Sequence, residues 1–190
     1  MSELTIEEYT QLSLGTWASR PQSHRRRNAL LGICGEAGEA VDLIKKTLYH
    51  GKDFAEMRER MNGELGDLLY YAAMLAHEYG WKLDDILRTI VRPHTGFSGF
   101  EKAVNPLADS ESFDIALRLS AVVGKLCSFA LNEQGTTLTA MGQRGFQRCI
   151  GDIVFHIVLV AELYDPHLAE IARFNVDKLA QRHPNGWSVP

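Results

Sequence analysis

The chain has 190 residues, 45% of them hydrophobic and 23% charged, with a formal net charge of −4. That length and balance suit an ordinary globular protein with one substantial core, or two similar units sharing one. They exclude a general basic footprint for nucleic acid. The longest apolar run, Ile150–Leu163, contains Asp152 and His156 and is too short to span a bilayer.

Taken in chain order, helical periodicity is strong nearly throughout and strand signals are weak. Thr5–Ala18 reads as a first helix, with Thr5 as cap and Glu8 at capping-box spacing. Arg26–Leu48 reads as a second, ending near Gly51, and just ahead of it lies the basic run His24-Arg25-Arg26-Arg27. The plain reading of that run is a solvated helix start, and the functional one is a polyanion contact. A third helix runs from about Phe54 to Tyr79 and stops at Gly80, and a short fourth covers Leu83–Val91. Pro93, Gly96, Gly99 and Pro106, with polar residues between them, mark a linker over residues 92–110. Helices resume over Glu111–Leu131, Leu138–Leu163 and Pro166–Arg182. The expectation is an all-α bundle.

Cys34, Cys127 and Cys149 are odd in number, lack metal-type spacing and sit in apolar helical contexts. They read as small core residues of a reducing compartment. The amino-terminal residues do not have the charged-then-apolar layout of a signal peptide, so a cytoplasmic protein without membrane contact is expected.

The second set of helices repeats the first. At an offset of 85 positions Gly66-Asp67 meets Gly151-Asp152, and the match runs ungapped through Ala76/Ala161, Tyr79/Tyr164, Ile86/Ile171 and Val91/Val176. This reads as an internal duplication of a helical hairpin unit. The expected organisation is a first unit over residues 1–91, the linker, and a second unit over 111–190, together one compact domain.

Four carboxylates stand out in the first unit. Glu36 and Glu39 lie within the apolar run Leu30–Ile44, and Glu64 and Asp67 at the head of Leu65–Ala76. Three residues are about 300° of helical rotation, so each pair shares a face. Tyr71 returns to the stripe of Glu64. Burying such groups costs several kcal/mol each unless they are paired or coordinate a cation. If the two helices pack antiparallel, all four converge on one cavity suited to Mg²⁺ or Mn²⁺ and to substrate phosphates. The competing reading is a surface helix pair. The di-iron alternative lacks its Glu-x-x-His pairs, and there is no glycine-rich phosphate loop of the P-loop type. With one residue of slippage upstream of Gly66, these positions in the second unit hold Val122, Lys125, Cys149 and Asp152, a poor cation cage.

Asn28 to Lys46 (NALLGICGEAGEAVDLIKK), Tyr49-His-Gly-Lys-Asp53, Glu64-Leu-Gly-Asp-Leu-Leu-Tyr-Tyr71 and the closing Asn175-Val-Asp-Lys-Leu-Ala-Gln-Arg-His-Pro-Asn-Gly-Trp187 together resemble the MazG-like nucleoside triphosphate pyrophosphohydrolases. The resemblance implies an all-α fold of two fused MazG-like hairpin units, the second degenerate. It also implies Mg²⁺-dependent cleavage of a (deoxy)nucleoside triphosphate to monophosphate and pyrophosphate, in house-cleaning or nucleotide-pool control. By the same carry-over Glu36, Glu39, Glu64 and Asp67 are the metal ligands and catalytic residues, with Asp42 a weaker candidate. His24 and Asn28 contact the nucleotide, Tyr71 packs on base or sugar, and Lys45, Lys46, Asn175, Lys178 and Arg182 meet phosphates. Against these stand plain readings: Lys45 and Lys46 as a solvated helix end, His24 as surface, Tyr71 as core.

The first unit keeps the ligands and lacks the closing motif, while the second keeps the motif and lacks the ligands. The chain thus resembles a dimer of single-unit relatives fused into one polypeptide with one working site, completed by the second copy. A homodimer of such fused units is implied. The rival functions are a phosphoribosyl-ATP-type pyrophosphohydrolase, a nucleotide-binding protein without turnover, and a helical adaptor that binds neither metal nor nucleotide.

Overall fold

A computed structural model describes residues 4–17, 21–91, 96–104, 111–132 and 139–184. Among them are eight helices and no strand, so the chain is all-α: α1 Ile6–Leu14, α2 Gln22–Tyr49, α3 Phe54–Glu78, α4 Leu83–Ile90, α5 Gly96–Val104, α6 Ser112–Asn132, α7 Ala140–Tyr164 and α8 Leu168–Arg182. Ala18, Pro93, Pro106, Leu138 and the segment 185–187 fall outside the described residues. No described helix is long and apolar enough to cross a membrane.

The helix boundaries follow local chemistry. Thr5 and Glu8 close a reciprocal capping box at the start of α1. Asp53 accepts from the backbone of Ala55 at the start of α3, and Thr139 from that of Gly142 at the start of α7. Gly51 and Gly80, with φ of 65° and 73°, take the left-handed turns after α2 and α3. At the corresponding turn after α7 the residue is Asp165, with φ of 67°, and Arg58 of α3 donates to its carbonyl at 2.8 Å.

The core lies between α3 and α7, whose apolar residues (Leu65, Leu68, Leu69, Ala72 and Leu75 against Ile150, Ile153, Val154, Ile157 and Val158) are nearly all fully buried. α2 packs on α3, α6 on α7, and α2 also on α6. The short helices are exchanged: α8 packs on α3, and α4 packs on α7. At one crossing, a Cβ on Gly66 would lie 3.0 Å from the Cβ of Asn175, and at the other a Cβ on Gly151 would lie 2.7 Å from Ile90 Cδ1. Both glycines admit a helix at close range. Each is 85 positions from its counterpart, as Ile90 is from Asn175.

Three expectations need correction. Residues 96–104, inside the expected linker, form helix α5, in which Phe97, Phe100, Glu101 and Val104 recur at helical spacing and are buried. Gly96 and Gly99 within it and Pro93 and Pro106 on either side hid that short stripe. Cys34 is exposed rather than core, with its Sγ 3.3 Å from that of Cys127 on α6, whereas Cys149 is buried. The helix carrying the basic run starts at Gln22, and Arg25 and Arg26 do not simply face water. Arg25 pairs with Glu78 at 2.6 Å, Arg26 donates to the Glu78 carbonyl, and its guanidinium stacks 4.0 Å over Tyr79. Two cations thus complete the carboxy-terminal end of α3, where the helix dipole favours them.

Helix α5 matters because Glu101 fastens α8. Its carboxylate accepts from the backbone of Leu168 at 3.3 Å and from His167 Nδ1 at 3.1 Å. The bond to Glu101 and the charge of its carboxylate hold the His167 imidazolium above its ordinary value. Glu101→Ala should lower unfolding free energy in urea by about 1–3 kcal/mol. The His167 part of that loss should be fully present below pH 6.5 and fade as pH rises through the elevated value in the folded protein, so the deficit shrinks at alkaline pH.

Candidate active site

The loop of residues 50–53 is short, so α2 and α3 run antiparallel and their acidic turns meet. They approach closely because Gly32 has no side chain: a Cβ there would lie 2.5 Å from three atoms of the Tyr71 ring. The ring therefore lies against the backbone of α2. One turn further along α2 is Glu36, and one turn back along α3 is Asp67.

Glu36, Glu64 and Asp67 each bring a carboxylate oxygen within 4.8 Å of the others, and all three are half-buried. Glu39 stays outside that radius and is exposed, a turn further along α2. Its charge still acts there. The strongest like-charge neighbour of Glu36 is Asp67, and that of Glu64 is Glu39, the order two antiparallel helices impose. Burial, then the charges of Asp67, Glu64 and Glu39, push the Glu36 carboxyl up to about 7, with Lys178 acting against them. Burial and the charges of Glu39 and Asp67 raise Glu64 as well, and Lys178 and Arg60 oppose them.

α8 closes one side. Asn175, fully buried, donates from Nδ2 to Asp67 Oδ1 at 2.9 Å and accepts at Oδ1 from the Tyr9 hydroxyl at 3.0 Å. Both polar ends of its amide are thus engaged inside the protein, and it reaches a carboxylate rather than the open cavity. Lys178 Nζ lies 2.6 Å from the other oxygen of Asp67 and 3.2 Å from the Gly63 carbonyl.

Beside the carboxylates opens a cavity of about 460 Å³, to which His24, Asn28, Tyr71 and Arg182 all contribute together with Glu36 and Asp67. Trp17, Tyr70 and Tyr71 form an edge-to-face cluster in its wall, with centroids 5.3–6.4 Å apart. That volume is in the range of small-molecule sites, about 300–1,000 Å³. Lys45 and Lys46 do not line it. Both pair with Asp42, Lys46 at 2.5 Å, and their hydrogen bonds draw the Asp42 carboxyl down to about 2. The plain reading of that lysine pair describes its position.

Sequence reasoning missed the contribution of α1 and the residues after it. Tyr9, Thr16 and Trp17 precede every motif, yet Tyr9 braces Asn175, and Thr16 and Trp17 line the cavity. The available signal was a tyrosine on the apolar stripe of α1, since a buried phenol needs a partner. Glu78 was also missed. It is buried, and although burial alone would raise its carboxyl, Arg25 and the Trp17 indole (2.7 Å) hold it below its ordinary value.

Residues 24–93 match the family model described as the MazG nucleotide pyrophosphohydrolase domain. A phosphoribosyl-ATP pyrophosphatase from Polaromonas sp. strain JS666 is 30% identical over 79 residues, 42% of this chain and 61% of the relative. The "Gene 37 protein" of Mycobacterium phage L5 is 38% identical over 64 residues, 33% of this chain and 53% of the relative. The chain thus spans less than two thirds of the length of either relative. No solved structure gives a significant match.

The electrostatics of the cluster predict a pH signature in the cation-free protein. A folded-state value of about 7 against 4.5 means the fold binds more protons than the unfolded chain between those limits. Stability should therefore fall as pH rises from 4.5 to 7 and level off above. Glu36→Gln should flatten that part of the profile, read from melting temperature against pH in the presence of a chelator.

Proposed function

We propose, from the match of residues 24–93 to the MazG nucleotide pyrophosphohydrolase domain, that the chain hydrolyses a nucleoside or deoxynucleoside triphosphate to the monophosphate and pyrophosphate with Mg²⁺. The observation that carries this is the carboxylate cluster, two of whose members, Glu36 and Asp67, line an aromatic-walled cavity together with Arg182. An all-oxygen, half-buried donor set fits a hard divalent cation, with Mn²⁺ as a substitute. Burial and like-charge crowding, which together hold Glu36 near 7, are the conditions such a cation would relieve.

Glu36, Glu64 and Asp67 hold the cation in this reading, and Glu39 reaches the same region from the solvent side. When bound, the cation supplies Lewis-acid charge to the phosphoanhydride and acidifies water. Asn175, braced by Tyr9, keeps Asp67 aimed. Arg182 and Lys178 complement the polyphosphate, and Tyr71 with Trp17 gives the base or sugar an apolar wall. His24 and Asn28 stand where the nucleotide would pass. Lys45 and Lys46, engaged by Asp42, are left out of this reading.

The second copy completes the first copy's pocket. The reciprocal packing of α8 on α3 and α4 on α7, and the pairing of Gly66 with Asn175 and Gly151 with Ile90 at one common offset, support a tandem duplication of two units around a linker. A cytoplasmic location and a pair of such chains complete the reading. The exposed Leu31 of α2 and Leu117 of α6 offer apolar surface for the pair. A phosphoribosyl-ATP-type substrate is the second reading, favoured by the likeness to the Polaromonas relative.

A panel of canonical and damaged NTPs and dNTPs, with phosphoribosyl-ATP, should release pyrophosphate rather than orthophosphate in the presence of Mg²⁺. Binding of nucleotide with no pyrophosphate release would point to a sequestering protein instead. Asp67→Asn should cost more than the about 100-fold typical of residues that only support a metal ligand. Arg182→Ala should raise KM about tenfold or more, the worth of a charge-assisted bond to phosphate. An unchanged KM would show that the second copy does not complete the pocket.

A further inference from the structure

Both oxygens of Asp67 are taken by α8, but the two partners differ in kind. Asn175 is neutral, fully buried and fixed at three points: the Tyr9 hydroxyl, Asp67 itself and the bare backbone of Gly66. It has no room to leave. Lys178, three residues on and so on the same face, puts a full positive charge 2.6 Å from Asp67 Oδ2 at the end of a flexible four-carbon stem. Its side chain is 16% exposed, and its ammonium has the Gly63 carbonyl as a second acceptor. That charge is felt beyond Asp67, since it lowers both Glu36 and Glu64 against the crowding that raises them.

We propose that Lys178 is a resident counter-cation for the carboxylate cluster, displaced from Asp67 Oδ2 by a divalent cation and then turned onto a phosphate oxygen of the nucleotide. This rests on the reading of Glu36, Glu64 and Asp67 as the cation site. A dication among those oxygens repels the ammonium and competes for the same lone pairs. The lysine, largely enclosed, then needs another anion within reach of its stem. The cavity beside Asp67, with Arg182 in its wall, is where a polyphosphate would supply one. Cation alone must therefore pull Lys178 away uncompensated, whereas cation with triphosphate gives it a new partner. The two ligands favour each other's binding.

Mn²⁺ binding measured by calorimetry and by the electron paramagnetic resonance of free Mn²⁺ tests this on the full chain. The proteins are wild type, Lys178→Met, Lys178→Arg and Asp67→Asn, each with and without a non-hydrolysable α,β-methylene triphosphate. Lys178→Met should bind Mn²⁺ alone about tenfold tighter than wild type and lose the gain in Mn²⁺ affinity that the analogue brings to wild type. Lys178→Arg, which keeps the charge, should stay near wild type for Mn²⁺ alone. In chelator Lys178→Met should melt below wild type, and Mn²⁺ should raise its melting temperature by more. Equal or weaker Mn²⁺ binding by Lys178→Met, in a protein that melts cooperatively, would overturn the proposal. Undiminished Mn²⁺ binding by Asp67→Asn would instead overturn the cation site on which it rests.

Discussion

The seating of α8 on α3 at Gly66 is the contact on which the rest of the molecule turns. A missing Cβ lets Asn175 come against the backbone of α3, and from there its amide reaches Asp67 on one side and Tyr9 on the other. Helix α1 is thereby tied to the acidic turn through one buried side chain. The same seating brings Lys178 to Asp67 and Arg182 to the cavity wall. A displaced α8 would lose polar partners in three elements at once, and buried polar groups without partners are costly. Glu101 of α5, at the start of α8, secures the helix that carries all of this.

The carboxylate cluster has the opposite character. It is held together by apolar packing of α2 on α3 and strained by burial and by its own charge, which together raise Glu36. The fold tolerates this because Tyr71 on Gly32 and the Leu65–Leu75 stripe of α3 fix the helices regardless of what the acids prefer. Like charges retained on a rigid frame make a strong field for a cation. The aromatic wall beside it has no such conflict, and its three rings meet edge to face.

Much of this was legible in the chain. Spacing at i, i+3 on apolar helices put the acids on shared faces, and the all-α architecture followed from periodicity and glycine or proline punctuation. What was hidden is what depends on distant parts meeting. Helix α5 is nine residues long and flanked by breakers, so its stripe of Phe97, Phe100 and Val104 had little length in which to show. Tyr9 and Trp17 carry no motif and become part of the cavity only through the tertiary fold. Arg25 and Arg26 looked like a charge run because their partner, the end of α3, lies more than fifty residues away in sequence. The distinction between Glu39 and its three neighbours is a matter of one helical turn, which spacing alone does not resolve.

The two crossings of short helix on long helix are built alike and filled differently. Over Gly66 stands an asparagine in a hydrogen-bonded chain, and over Gly151 an isoleucine. The apolar joint draws its strength from burial, is insensitive to pH and cations, and involves none of the three carboxylates. It acts as ballast: cohesion supplied by one half of the molecule allows the other half to keep a joint that is charged and crowded. In a symmetric pair of identical chains both joints would have to serve both ends. In the duplication proposed above, joining them in one chain lets each position differ from its counterpart, so that the apolar joint holds while the charged one is left to serve the site.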